Sequence, residues 1–205
     1  MSDFHQNGVI STLHNLSNRS LSEIEQELRE YGKDTPIELI LPSLYSELEG
    51  AALKNIVSCL SNVKYLNHIT IGLDKANKSE FIKAKKFFLN LNQAHSVIWN
   101  DSPKMKKLDS DFKKLGIAPN QVGKGKNVWY CMGYTYSRNE AGSVALHDCD
   151  ITTYNRELLA RLVYPVSNPH FNYEFCKGYY PRIREGTLSG RVTRLLVTPL
   201  LKTFK

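Results

Sequence analysis

Cysteine is scarce in this 205-residue chain. Its four thiols (Cys59, Cys131, Cys149, Cys176) are scattered, with no Cys-x-x-Cys pair. That spacing argues against a cysteine zinc site and against a disulfide framework, and it fits a reducing compartment. No apolar run approaches the roughly 20 residues of a membrane span. The first residues hold no apolar core of a secretory signal. The expectation is a cytoplasmic protein without a membrane span. Two common phosphate motifs are absent as well. Gly-Lys in the 123–126 stretch is not followed by Ser or Thr in the Walker A frame, and there is no Gly-x-Gly-x-x-Gly. No internal repeat or low-complexity tract is present.

What remains is an ordinary globular composition, 41% hydrophobic and 23% charged, with length enough for one domain with a real core. The net charge of +7 calls for an anionic partner without naming it. Basic residues are spread over Lys75–Lys126 and Lys177–Arg194 rather than in a dense stripe with interleaved aromatics, so nucleic acid ranks below phosphorylated small molecules.

Residues 1–35 read as a helical extension. Ser20 and Glu23 form a capping box, Leu21, Ile24 and Leu28 share a face, and Gly32 stops the helix. Ile37–Leu41 reads as the first core strand, ended by Pro42. A helix follows with Leu48, Ala52, Ile56, Val57 and Leu60 at helical spacing. The second strand is Ile69–Leu73, ending at Asp74. A basic helix over 78–90 turns Phe81, Ile82, Phe88 and Leu89 partly inward. A short strand covers Ser96–Trp99, and a charged helix starts at Pro103. After a loop over 119–125, a helix runs from Lys126 to about Ser137, and a strand covers 143–147. Tyr154–Tyr164 is a helix closed by Pro165 and Pro169, Phe171–Tyr180 a long strand, Glu185–Gly190 a Gly-rich loop, and Arg191–Phe204 a helix. Strands alternating with helices predict an α/β fold, a mostly parallel sheet with helices on both faces.

Val144-Ala145-Leu146-His147-Asp148-Cys149-Asp150 organises this pattern. Its apolar run reads as a strand buried on both faces. Unpaired buried carboxylates cost several kcal/mol each. Asp148 and Asp150 therefore belong at the strand's carboxyl end, in the crevice where open α/β sheets bind ligands. Two close carboxylates suit a divalent cation and a phosphate ligand, whereas a solvated turn with an Asp cap is the plain alternative. Three other stretches join them. Gly123-Lys124-Gly125-Lys126 at a helix start offers free N–H groups and a point charge to an anion, or is a simple turn. Glu47 follows the first strand, where a ribose or base lies, or complements a helix dipole. Gly190-Arg191-Val192-Thr193 offers a guanidinium fork and a hydroxyl at another helix start, with Lys177 and Arg184 as neighbouring charges. His147 reads as a packed core residue and Cys149 as an inert buried thiol.

Taken together, Leu41-Pro42-Ser43-Leu44-Tyr45-Ser46-Glu47, Gly123-Lys124-Gly125, His147-Asp148-Cys149-Asp150 and Ser189-Gly190-Arg191-Val192-Thr193 resemble the glucosyl-3-phosphoglycerate synthases and related retaining glycosyltransferases of the GT-A fold. The resemblance covers roughly residues 36–205 and implies a Rossmann-like nucleotide-sugar-binding domain there. It implies UDP-glucose as donor, Mg²⁺ or Mn²⁺ bridging its diphosphate, and 3-phosphoglycerate as acceptor. Pro42, Leu44 and Glu47 would contact the uridine, and Lys124 the uracil or diphosphate. Asp148 would contact the ribose or sugar and Asp150 the metal, both as catalytic residues. Gly190, Arg191, Val192 and Thr193 would hold the acceptor phosphate. The family chain is considerably longer, with a later His metal ligand that has no counterpart here, so the resemblance is to an amino-terminal half. Mannosyl transfer from GDP-mannose to glycerate or phosphoglycerate stays open, as does a nucleotide-sugar-binding module without turnover. A homodimer is left open, and a basic nucleic-acid binder ranks third.

Overall fold

A computed structural model describes residues 19–120, 122–171, 173–178, 182–184, 187–189, 200 and 203. The chain divides into a unit Ser20–Cys176 and a second unit drawn from Met1–Arg19 and Lys177–Lys205. In the first, the order is α1 (Leu21–Asp34), β1 (Ile37–Leu44), a 3-10 turn (Tyr45–Glu49), α2 (Ala51–Leu60), β2 (Leu66–Asp74), α3 (Lys78–Phe88), β3 (His95–Trp99), α4 (Pro103–Lys114), α5 (Lys124–Arg138), β4 (Ser143–Leu146) and α6 (Arg156–Ser167). In the second, β5 (Arg182–Arg184) and β6 (Thr187–Ser189) form an antiparallel pair.

The four strands of the larger unit lie in the order β3-β2-β1-β4, all parallel. This is the expected GT-A Rossmann-like α/β arrangement. Its two faces differ in chemistry. Ile37, Leu39 and Leu41 of β1 and Ile69, Ile71 and Leu73 of β2 join the apolar core with α1, α2, α3 and α6 residues, among them Leu28, Leu53, Phe88 and Leu159. The intervening positions face the other way. Glu38, His68 and Thr70 are buried polar residues on that face, where α5 packs. Thr70 and Thr135 hydroxyls are 3.3 Å apart, and Arg138 pairs with Glu38 at 3.6 Å.

The capping box forms as its spacing requires: Ser20 N–H donates to Glu23 at 2.8 Å, and Glu23 N–H to Ser20 Oγ at 3.3 Å. Gly32 does not stop α1, which runs on to Asp34; no left-handed turn is imposed there, and Thr35 N–H closes on the Tyr31 carbonyl. Pro42 does not end β1 either. N–H and C=O of one strand residue share a side, and successive residues alternate. The Ile40 carbonyl accepts from His147 N–H at 3.1 Å, so Ile40 faces β4. Pro42 faces the same way beyond the end of β4, and its missing N–H costs no ladder bond.

Other expectations need correction. β4 is not buried on both faces: Ser143 and Ala145 are buried, while Val144 and Leu146 are each 38% exposed. That face is only partly covered because β4 is an edge among the described strands and α5 packs on β1 and β2 instead. Ile82 and Leu89 point outward; α3 instead packs through Ala84, Phe88 and the Phe81 ring, stacked on Trp99 at 5.0 Å. Pro165 lies inside α6, which continues to Ser167 because packing against α1 and β4 holds that turn. The described residues of 171–178 carry no strand. Phe171 makes edge contacts with Tyr164 and Tyr173, so its aromatic spacing serves local ring packing. Thr187–Ser189 is a strand within the expected loop. The helix expected over Arg191–Phe204 lies outside the described residues except for Leu200 and Thr203.

Ile24 and Leu28 sit in the core, Leu28 fully so, and Tyr164 of α6 donates to Glu27 of α1 at 2.5 Å. Leu28→Ala should therefore cost about 3 kcal/mol in urea unfolding. A loss below about 1 kcal/mol would show α1 to be a loosely attached extension.

Candidate functional site

The site forms where the sheet changes direction. From β1 the chain crosses to β2 on one side, and β4 returns on the other. A ligand crevice opens at such a point, beyond the strand carboxyl ends. β4 pairs with β1 only as far as Ile40, whereas Leu41–Leu44 pair with β2 alone. The β4 side of this last stretch of β1 is thus left open.

Pro42 and Leu44 lie in that stretch. Glu47 follows in the 3-10 turn and folds back onto it. Its carboxylate accepts from Leu44 N–H at 2.8 Å and from Ser43 Oγ at 3.1 Å. The capping reading of Glu47 is thus visible in the geometry. Asp148 and Asp150 lie in the turn after β4, Asp148 half-buried and Asp150 exposed. Between them Cys149 is 1% exposed, in the field of Glu47, Lys124 and Asp148. Burial pushes its thiol well up from the ordinary value, so it is a poor nucleophile.

Lys124 is the first residue of α5, and its ammonium pairs with Asp148. Gly123 before it has φ 110°, a left-handed conformation that favours glycine, and no side chain caps the helix. The structure therefore brings Glu47, Lys124, Asp148 and Cys149 to one rim. Asp74 ends β2 on the same rim; burial raises its carboxyl, and Asn100 donates to it at 2.7 Å. Gly190, Arg191, Val192 and Thr193 lie outside the described residues.

Among the described residues no three Asp, Glu, His or Cys side chains gather closely enough to hold a metal alone. The donors present still suit a hard divalent ion. Mg²⁺ and Mn²⁺ take oxygen ligands, and a nucleotide site commonly supplies one or two carboxylates while substrate phosphates complete the shell. Exposed Asp150 fits that role, with half-buried Asp148 beside it.

Sequence reasoning missed how α5 is held. Asn127 Nδ2 donates to the Gly72 carbonyl at 2.9 Å. Lys126 does not face the crevice; its ammonium lies 2.5 Å from Asp109 of α4, which also accepts from Tyr130 at 2.6 Å. These partners are far apart in sequence, and no motif marks them. Further along the rim a hollow of about 480 Å³ opens between Lys75, Asn77, Trp99 and Lys106, lined by none of Pro42, Leu44, Glu47, Lys124, Asp148 and Asp150.

His147 packs as expected, its ring edge-on to Tyr154 at 5.3 Å and 3% exposed. Neither ring nitrogen has a hydrogen-bond partner among the described residues. Burial lowers its pKa to about 4.

No protein-family model matches the chain. It is 47% identical over 204 residues to glucosyl-3-phosphoglycerate synthase of Persephonella marina, covering 100% of this chain and 50% of that protein. It is 36% identical over 206 residues to the synthase of the same name from Methanococcoides burtonii, covering 99% and 50%. The chain resembles glucosyl-3-phosphoglycerate synthases along its whole length. It spans about half the length of these curated relatives. The glucosyl-3-phosphoglycerate synthase of Mycobacterium tuberculosis shares the fold. Its crystal structure with Mn²⁺, UDP and glucosyl-3-phosphoglycerate superposes with a TM-score of 0.52 at 19% identity, over 94% of this chain and 56% of that one. The structure with UDP gives 0.54 over the same shares. Among the described residues no helix is long and apolar enough to cross a membrane.

The buried His147 sets a pH dependence. Unfolded His titrates near 6.5 and this one near 4, so between those values the unfolded chain binds more protons. Stability is full above pH ~6.5 and falls as pH drops toward 4, by about 3 kcal/mol at most. Urea midpoints at pH 7 and 4.5 should separate less in His147→Gln than in the wild type. Equal separation would exclude His147 as the source.

Proposed function

We infer that this chain supplies the nucleotide-sugar half of a metal-dependent glucosyltransferase that moves glucose from UDP-glucose to 3-phosphoglycerate. The observation that supports the reading is a joint one: whole-length similarity to glucosyl-3-phosphoglycerate synthases, with Lys124 paired to Asp148 beyond the end of β4 and Asp150 exposed in the same turn. Residues 36–205 form the GT-A part, and the protein works in the cytoplasm.

In this reading Pro42, Leu44 and Glu47 border the uridine. The Glu47 carboxylate stiffens the end of β1 through Leu44 and Ser43, so the base meets a fixed edge. Lys124 and the uncapped start of α5 face the diphosphate, where a positive helix end and an ammonium both favour an anion. Asp148 orients the ribose or sugar, and Asp150 holds Mg²⁺ or Mn²⁺. When bound, the ion offsets negative charge that develops on the departing diphosphate. The bond between glucose C1 and the diphosphate oxygen breaks. A bond from C1 to the oxygen of the acceptor's one free hydroxyl forms, and the hydroxyl proton passes to the departing diphosphate. Retention of the anomeric configuration follows the family resemblance. Gly190, Arg191, Val192 and Thr193 take the acceptor phosphate.

A second reading draws on the donor set, since no three metal donors gather among the described residues. It is a nucleotide-sugar-binding module without turnover of its own. Calorimetry with UDP and Mn²⁺, run beside a transfer assay on the same sample, separates the two. Binding with transfer supports the enzyme; binding alone supports the module. Comparing UDP-glucose with GDP-mannose as donor decides the sugar.

Asp150→Ala should lower metal-dependent transfer by on the order of 10²–10³-fold, as losing an electrostatic stabiliser of the leaving group does. Turnover retained in that variant would remove Asp150 from the metal site.

A further inference from the structure

The α5 face of the sheet carries buried Glu38, His68 and Thr70 beside Ile40, so directional bonds act together with apolar packing in placing the helix. One of these bonds, itself buried, lies one turn from Lys124. Asn127 is 3% exposed and donates to the Gly72 carbonyl at 2.9 Å. The Cys131 thiol donates to Asn127 Oδ1 at 3.4 Å, which fixes the amide's orientation. The fit leaves no spare room. A Cβ at position 72 would stand 1.8 Å from Asn127 Oδ1 and 2.5 Å from Cys131 Sγ. Gly72 pairs in register with Pro42, so this one bond ties the first turn of α5 to the strand end that borders the crevice.

A second tether acts from the side. Asp109 of α4 takes Lys126 and Tyr130, and these partners with Lys113 hold its carboxyl well below the usual range. Lys126 is thus committed to α4, while Lys124, two residues earlier, pairs with Asp148. In a helix two residues differ by about 200° of rotation. The rotation that Asn127 imposes therefore decides which of the two lysines meets the crevice.

We propose that Asn127 is a positioning residue, whose bond to Gly72 sets the height and rotation of the first turn of α5 and so the reach of Lys124 and the uncapped amides toward a nucleoside diphosphate. This rests on the UDP-binding reading above. A shift of about 1 Å in a binding group is enough to cost a large factor in a site that works by placement.

The test is a double-mutant cycle on the full chain, titrating UDP in the presence of Mn²⁺ by calorimetry. Its members are the wild type, Asn127→Ala, Lys124→Met and the double variant, with folded fraction measured by circular dichroism. Asn127→Ser, which keeps a shorter donor, replaces Asn127→Ala if the latter does not fold. Each single change should weaken UDP binding by about tenfold per folded molecule, and the double variant should be within about twofold of either single one. Additive losses, or an Asn127 variant that loses thermal stability while keeping UDP affinity within twofold, overturn the positioning role alone. A wild type that binds no UDP overturns the functional reading, and with it this role.

Discussion

The rung between His147 N–H and the Ile40 carbonyl is where the site begins, because it is the last bond between β4 and β1. One strand stops there and its neighbour runs four residues further. Everything placed at the rim depends on that mismatch. It lets Pro42 stay in the strand without an unmet partner and gives the Glu47 carboxylate access to Leu44 N–H. It also frees the chain after Leu146 to turn, so that Asp148 meets Lys124 and Asp150 is exposed.

Opposite the apolar core lies a polar seam that does different work. Leu39, Ile71 and Phe88 hold the fold through burial, which is non-directional. Thr70–Thr135 and Asn127–Gly72 hold α5 through bonds that specify orientation, and the Arg138–Glu38 charge pair adds to them. A helix whose first turn faces an anion gains from that second kind of restraint, since electrostatic preorganisation depends on fixed distances. The two faces of one sheet thus divide stability from placement.

The legible parts of the sequence were local ones. Ser20 with Glu23 marked the first helix, Pro103 marked α4, and the alternation of strands and helices implied a parallel sheet. Asp-x-Asp after an apolar run correctly indicated a strand's carboxyl end. The errors came where a residue's local tendency met a tertiary context. Pro42 and Pro165 read as breakers but sit where packing or an open edge tolerates them. Val144 and Leu146 read as doubly buried, although β4 has one described neighbour. Phe171 and Tyr173 alternate because their rings pack on each other. The tethers of α5 were illegible for a simpler reason: Gly72 and Asn127 are 55 positions apart, and neither has a neighbour that hints at the other. Of the site, Glu47, Lys124 and Asp148 come to one rim, whereas Gly190–Thr193 lies outside the described residues.

The central claim is that a nucleoside diphosphate and a divalent ion meet at the rim between β1 and β4. Mn²⁺ is paramagnetic, so it broadens the amide signals nearest to it. Added with UDP to isotope-labelled protein, it should erase the signals of Asp148–Ile151 and Gly123–Asn127 first, leaving α2 and α3 sharp. Broadening centred on α3, or equal with and without UDP across the surface, would contradict the account.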